Sequence, residues 1–311
     1  MLVILKMPEL PEVETVARGL RQRALGRRIC QVEVRHPGII KGSPEEFVRQ
    51  TSGRTIVAVR RKGKVLVLEL DGCGGEPKFL MVRLGMTGQV TLEPREAPME
   101  PHTHVRMPLD DGREELRFRD PRRFGNLRVL ERGGIEGILG TLGPDAQAIS
   151  EEDFLRSMHG RRGALKSWLM NQQMLAGLGN IYADEALFVA RLHPLAQPGH
   201  ISCEAARRLY RAVRRVLDRA VNLQGTSFRD YIDLEGRPGN FAMRLKVYQR
   251  DGKLCARCRT PIRRIVVGGR SSHFCPRCQP RPRRAAGHKT SRKGTGREKR
   301  HGLADGRRKQ G

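Results

Sequence analysis

Apolar and polar positions follow two rhythms along this chain. Val13, Val16, Ala17, Leu20 and Ala24 recur at the three- and four-residue spacing of an amphipathic helix, with Gly26 where a C-terminal cap belongs. Residues 12–25 are therefore predicted to be a first helix. From about residue 28 to residue 130 the texture changes to short β-branched runs at 55–59, 65–70, 79–84, 116–118 and 127–130, separated by Gly, Pro and Asp turns. That series predicts a β-sandwich. The glycine-rich stretch 133–143 reads as a linker. Helical spacing then returns near 151–159, 164–173, 181–190 and 202–223, the last helix entered through Ser202 as N-cap and left before Gly225. Residues 225–231 and 236–240 have the composition of mobile loops.

Charge changes this picture from an ordinary two-domain enzyme to a partner of a polyanion. The 311 residues carry 60 Lys and Arg against 33 Asp and Glu, a formal net charge of +27. No stretch supplies the roughly 20 consecutive apolar residues of a membrane span, and the opening seven residues are too short for a secretory signal. These features point to a cytoplasmic, membrane-free protein. Aromatic residues make up only 5% of the chain, which argues against binding by many stacking platforms. From residue 281 onward there are twelve Lys or Arg and two acids with almost no large apolar residue, so residues 281–311 are predicted to be a disordered basic tail.

Seven cysteines are an odd number, and four of them form two close pairs. Cys255 and Cys258, sixteen intervening residues, then Cys275 and Cys278 fit the spacing of a tetrahedral four-thiolate zinc site between two knuckles. With every position filled by sulfur, one Zn2+ there is structural. It holds a hairpin bearing Arg263, Arg264 and Arg270, suited to a nucleic-acid backbone. Cys30, Cys73 and Cys203 match no ligand pattern and read as small buried hydrophobes.

The segment from Met7 through Thr15, MetProGluLeuProGluValGluThr, could be no more than a stiff helix start, with Glu12 and Glu14 in the first turn. It also resembles the amino terminus of the formamidopyrimidine-DNA glycosylases, bacterial base-excision repair enzymes. Further motifs follow in that family's order: LysGlyLysValLeu around Lys64, ArgLeuGlyMetThrGly around Met86, AspProArgArgPheGly at 120–125, LysSerTrpLeuMet at 166, GlyLeuGlyAsnIleTyr at 177–182 and the cysteine finger. The resemblance covers about residues 7–280. It implies an α+β multidomain fold: a sandwich domain with an N-terminal helix over 7–140, a helix-two-turn-helix domain over 145–243 and a zinc finger over 244–280, with 1–6 a leader.

The resemblance also implies roles. Pro8, as a free N-terminal amine, is the nucleophile, since an α-amino group loses its proton more readily than a lysine near neutrality. Glu9 is the proton donor that opens the sugar ring. Lys64 is implied to donate in β-elimination, although by itself it would read as a solvated strand-end lysine. Arg270 is implied to act in δ-elimination; a guanidinium is a poor general acid, so a bidentate phosphate clamp is the better description. Met86, Arg122 and Phe124 match the side chains that fill the hole left by a flipped base, although any lone Met or Phe could instead be core. His102, Arg161, Lys166 and Asn180 match DNA contacts, with the 177–180 turn read as gripping a phosphate through its backbone. Arg229 and Thr226 fall on the lesion-sensing loop.

The expected function is a bifunctional glycosylase and abasic-site lyase. It acts as a monomer on double-stranded DNA containing oxidised purines or abasic sites. Two alternatives stay open at this point: an endonuclease VIII-like enzyme for oxidised pyrimidines, and a non-catalytic, zinc-stabilised nucleic-acid-binding protein. Covalent chemistry at Pro8 also requires the chain to begin there after processing from Met7, because an internal proline nitrogen is an amide without a usable lone pair.

Overall fold

The computed structural model describes residues 7–72, 75–110, 112–228 and 231–281. Residues 1–6 and those beyond Arg281, where a leader and a basic tail are expected, lie outside the described residues, as do Cys73 and Arg229. The chain begins with α1 (Leu10–Arg23), β1 (Glu33–Val34), α2 (Pro44–Thr51), β2 (Ile56–Lys62), β3 (Val65–Leu70) and β4 (Lys78–Arg83). It continues with β5 (Gln89–Pro94), β6 (Thr103–Pro108), β7 (Glu114–Arg119), β8 (Asn126–Leu130) and α3 (Arg132–Gly140). The helical half holds α4 (Glu151–Met158), α5 (Leu165–Met170), α6 (Asn180–Ala190) and α7 (Cys203–Asn222), and a hairpin of β9 (Arg263–Val267) and β10 (Arg270–Phe274) closes it.

Two antiparallel four-stranded sheets, ordered β1-β6-β7-β5 and β2-β3-β4-β8, make the expected sandwich. Their facing side chains, among them Leu66, Leu68, Leu80, Val105 and Phe118, form one apolar core with the inner face of α1. The helical domain has its own core around Phe154, Trp168, Leu187 and Val213. Helix α1 straddles the two. Leu10 is buried in the helical core, whereas Val13, Val16 and Leu20 belong to the sandwich core. The start of α1 is thereby fixed at the seam between domains, and Pro8 and Glu9 with it.

The β2–β3 hairpin reaches the same seam. Its register pairs Lys62 with Val65, which leaves Gly63 and Lys64 at the turn. Gly63 has φ +58, and a Cβ there would lie 2.9 Å from the Ala176 Cβ, so only glycine lets the turn approach the helical domain this closely. Arg61, almost fully buried, locks the approach by pairing with Glu14 of α1 (2.8 Å) and with Asp145, whose carboxylate also accepts from the Gly63 N–H (2.7 Å).

Three expectations need correction. Residues 133–143 are not a linker: most of them form α3, because Ile135, Ile138, Leu139 and Leu142 share one face that covers Val65, Val67, Phe79 and Met81 despite the glycines. Strands β1, β5 and β6 and helix α2 were not anticipated. The runs of β5 and β6 are broken by Pro, Arg and Glu, β1 is only two residues long, and α2 buries only Phe47 and Thr51. Cys30 and Cys203 are exposed rather than buried, Cys203 being the first residue of α7. Among the described residues, no helix is long and apolar enough to cross a membrane.

Candidate active site and nucleic-acid interface

The site is built on the N-terminus of α6, where unpaired backbone N–H groups make a ready anion site. The anion is internal. Glu9 is 3% exposed, and its carboxylate accepts from the N–H groups of Gly179 (2.8 Å), Ile181 (3.0 Å) and Tyr182 (3.4 Å). The Leu10 N–H donates to the Gly177 carbonyl (3.0 Å) and ties down the next residue. Gly177 has φ +113, and a Cβ on it would fall 2.5 Å from Leu10 Cδ1. The 177–180 turn was expected to grip a DNA phosphate through its backbone. Within it the Gly179 N–H is instead taken by Glu9, a carboxylate tethered by the fold, and the Gly177 N–H by Gln172 Oε1 (2.9 Å). Asn180 keeps a partly exposed side chain whose Oδ1 has no hydrogen-bond partner among the described residues.

Burial pushes the Glu9 carboxyl above its ordinary range, against the opposing pull of Lys64 and the three N–H donors. A second carboxyl sits beside it. Glu12 accepts from the Glu9 N–H (2.8 Å), from the Thr226 N–H (2.7 Å) and from the Tyr182 hydroxyl, and Tyr182 Oη also meets Thr226 Oγ1 (2.7 Å). Burial and then the charge of Glu9 push the Glu12 carboxyl up to about 7. Glu12 thus links the residue next to Pro8 to the first residues of the 226–231 loop. Sequence reasoning treated it only as a favourable helix start.

Lys64 lies against these carboxylates, and Arg270 reaches Lys64 from the finger. Burial lowers the Lys64 ammonium, Glu9 and Glu12 raise it, and repulsion from Arg270 lowers it further, so Lys64 feels all three of the other charges. Arg270 is exposed at the start of β10, directly after the Gly268–Gly269 turn. Pro8 is buried beside Glu9. The four residues expected to carry the chemistry are therefore brought into one region.

Met86, Arg122 and Phe124 lie on two loops clamped together. A Cβ on Gly85 would fall 2.4 Å from the Gly125 nitrogen, which leaves no room for a side chain between the loops. Buried Asp120 organises the second loop, accepting from the Arg122 N–H (3.2 Å), the Gly125 N–H (2.7 Å) and the Thr87 hydroxyl. Phe124 is 54% exposed, Met86 is half-buried outside every core cluster, and the Arg122 guanidinium lies 4.8 Å over the Phe124 ring. An apolar residue held outward by buried polar anchors is placed to contact something other than its own core. His102, exposed at φ +66, lies beside this loop, its carbonyl accepting from the Asp120 N–H (3.1 Å). Arg161 is exposed beyond α4.

Lys166 needs correction. It is 0% exposed, and its ammonium is held by Asp184 Oδ1 (2.7 Å) and the Ser271 carbonyl (2.7 Å), so it is a buried tie to the finger rather than a surface contact. Asp184 and Glu185 were missed. Their signal was an acidic pair inside a helix otherwise apolar on every side, since acids are almost never buried without partners. Glu185 accepts from the N–H groups of Lys246, Val247 and Tyr248 (2.9 Å each for the nearer oxygen) and anchors the segment leading to the finger.

In the finger, the Sγ atoms of Cys255, Cys258, Cys275 and Cys278 lie within 4.8 Å of one another, with the closest pairs at 3.4, 3.5 and 3.9 Å. The edge of a tetrahedron with metal–sulfur bonds of ~2.3 Å is roughly 3.8 Å, so this donor set fits a four-coordinate structural metal. The Arg257 and Cys278 N–H groups donate to Cys255 and Cys275 sulfur (3.4 Å each), as expected where knuckles hold thiolates.

Comparison with known proteins matches this arrangement segment by segment. Residues 7–127 fit the model of the formamidopyrimidine-DNA glycosylase N-terminal domain, 141–231 that of its H2TH domain, and 252–281 the zinc finger found in FPG and IleRS. The formamidopyrimidine-DNA glycosylase of Solibacter usitatus is 45% identical over 276 residues, covering 88% of this chain and 100% of that protein. That of Heliobacterium modesticaldum is 46% identical over 284 residues, again 88% and 100%. Among solved structures, a Lactococcus lactis FPG mutant in complex with a Fapy-dG containing DNA superposes with a TM-score of 0.81 at 32% identity, covering 88% of this chain and 100% of that one. The wild-type L. lactis protein with an oxidized pyrimidine containing DNA gives 0.80 at 32%, with the same coverage. Matched over both domains and the finger, this chain belongs to the formamidopyrimidine-DNA glycosylase family.

Proposed function

We propose that this chain is a bifunctional glycosylase and abasic-site lyase. On this reading it removes oxidised purines, 8-oxoguanine and formamidopyrimidines foremost, from duplex DNA in the cytoplasm and works as a monomer. The observation that carries the reading is Glu9: a buried carboxyl with a raised affinity for its proton, adjacent in sequence to Pro8 and facing Lys64. Family membership removes the non-catalytic alternative.

In the reaction the Pro8 nitrogen attacks C1′ of an extrahelical nucleotide, and the C1′–base bond breaks with its electron pair on the departing base, which takes up the proton that the Pro8 nitrogen sheds. Glu9 gives its proton to O4′ as the C1′–O4′ bond opens, leaving an iminium between Pro8 and C1′. The iminium acidifies the C2′ proton. Its removal expels the 3′ phosphate, and a second elimination expels the 5′ phosphate, with Lys64 and Arg270 bearing on the leaving groups. Met86, Arg122 and Phe124 fill the vacated stack, Thr226 and Arg229 belong to the loop over the base, and His102, Arg161 and Asn180 hold the backbone. One structural Zn2+ on the four cysteines braces the hairpin that carries Arg270.

The amine exists only if Pro8 is the mature N-terminus, reached by initiation at Met7 and removal of that methionine. Borohydride trapping on abasic-site DNA compares the form beginning at Pro8 with the form that retains residues 1–7. A covalent adduct is expected from the first alone; its absence from the Pro8 form would overturn the reading. A panel of purine and pyrimidine lesions addresses the endonuclease VIII-like alternative, which faster excision of pyrimidines would favour.

A further inference from the structure

Arg270 is exposed, so its aim depends on how β10 is anchored, and each of the three residues after it is gripped from the helical domain. The Ser271 carbonyl accepts from Lys166 Nζ (2.7 Å), Ser272 Oγ donates to Asp184 Oδ1 (2.9 Å), and the His273 N–H donates to Asp184 Oδ2 (2.8 Å). Lys166 and Asp184 form a 2.7 Å ion pair with both side chains sealed from solvent. Asp184 lies one turn, roughly 6 Å along the axis, past Asn180, at the end of α6 that holds the Glu9 carboxylate.

We propose that Asp184, braced by Lys166, is a positioning residue that sets Arg270 of the finger in register with Glu9 through the rigid body of α6. A buried ion pair gives little net stability over apolar residues of the same size, because desolvation offsets the attraction. What it adds is direction: the lone pairs of Asp184 and the protons of Lys166 select one placement of Ser271, Ser272 and His273. The inference rests on the reading of Arg270 as a phosphate clamp.

The test measures single-turnover excision of 8-oxoguanine and cleavage of preformed abasic-site DNA, using the full processed chain with its zinc content verified. The variants are Asp184→Asn, the apolar pair Lys166→Met with Asp184→Leu, Arg270→Ala, and Asp184→Asn with Arg270→Ala. The apolar pair avoids leaving an unpaired buried charge. Asp184→Asn and the apolar pair are each expected to lower the ratio of cleavage to excision about tenfold, the scale expected of a sub-ångström misplacement, and the Asp184→Asn effect should vanish once Arg270 is gone. An unchanged ratio in the apolar pair, or additive effects of Asp184 and Arg270, would overturn the inference alone. Arg270→Ala with full cleavage would overturn the clamp reading and the inference together, a result separate from either of those.

Discussion

The Glu9 side chain and Gly179 are in such close contact that a Cβ on the glycine would fall 2.4 Å from Glu9 Cδ. Gly179 has φ −133, so its backbone would accept any residue; what excludes a side chain is the carboxylate. Gly179→Ala should therefore act on Glu9 rather than on the fold at large. The expected result is a loss of excision of at least about tenfold with a stability cost of about 1–3 kcal/mol, the usual range for overpacking. Single-turnover kinetics and thermal unfolding measure both, and unchanged excision would show that Glu9 tolerates displacement.

Phe124 has little to do with stability. With 54% of its surface exposed on a loop held by Asp120, Phe124→Ala should change unfolding free energy by no more than about 0.5 kcal/mol. Affinity for lesion-containing duplex should fall about tenfold if the ring wedges the stack, since stacking on one aromatic is worth about 1–3 kcal/mol. A large stability loss with unaltered DNA binding would reassign Phe124 to the core.

Acid should stabilise the seam between the domains. The folded-state affinity of Glu12 for its proton, near 7, exceeds that of an unfolded glutamate. Its contribution is thus fully present below the ordinary carboxylate range and is lost as pH rises through about 7. The amount is on the order of 3 kcal/mol at most. Glu12→Gln should flatten this slope in urea unfolding measured between pH 5 and 8. Persistence of the full slope in the variant would assign it to other groups.

Arg61 should prove one of the costliest single truncations. Its guanidinium is 7% exposed and serves both Glu14 and Asp145, so Arg61→Ala strips nearly buried Asp145 of its counter-charge and leaves Glu14 to Arg18 and Arg21 alone. A loss of roughly 3–5 kcal/mol is expected, as for other broken buried pairs. Arg49→Ala, removing an exposed pair with Glu46, should cost less than about 1 kcal/mol in the same assay.

Metal removal should uncouple binding from the scaffold. Chelation frees four thiolates held within 4.8 Å, and the hairpin bearing Arg270 loses its brace while the sandwich keeps its own core. DNA cleavage should be abolished with most far-ultraviolet circular dichroism retained. Cleavage that survives complete chelation would remove the metal from the account.

Much of this architecture could be read from one chain because its signals are local. The helix periodicity of α1, α4, α6 and α7, the cysteine spacing and the ordered motifs each depend on residues close in sequence. Strands β5 and β6 escaped because a short run with Pro or Arg becomes a strand only when a neighbouring sheet covers it, and β1 because two residues carry no pattern. The glycines of α3 hid a face that exists only against β3 and β4.

Residue types and spacing by themselves determined which groups are present: a proline beside a glutamate, a lysine at a hairpin turn, four thiols and an excess of cations. Tertiary structure alone decided what each group faces. Gly179 and the first turn of α6 hold Glu9, and Lys166 is sealed beneath the finger, because helix ends and buried charges take the nearest partner the fold supplies, which can be 170 residues away, as Gly179 is from Glu9. Periodicity cannot carry that information, since it records which face of an element is apolar and not which element will cover it.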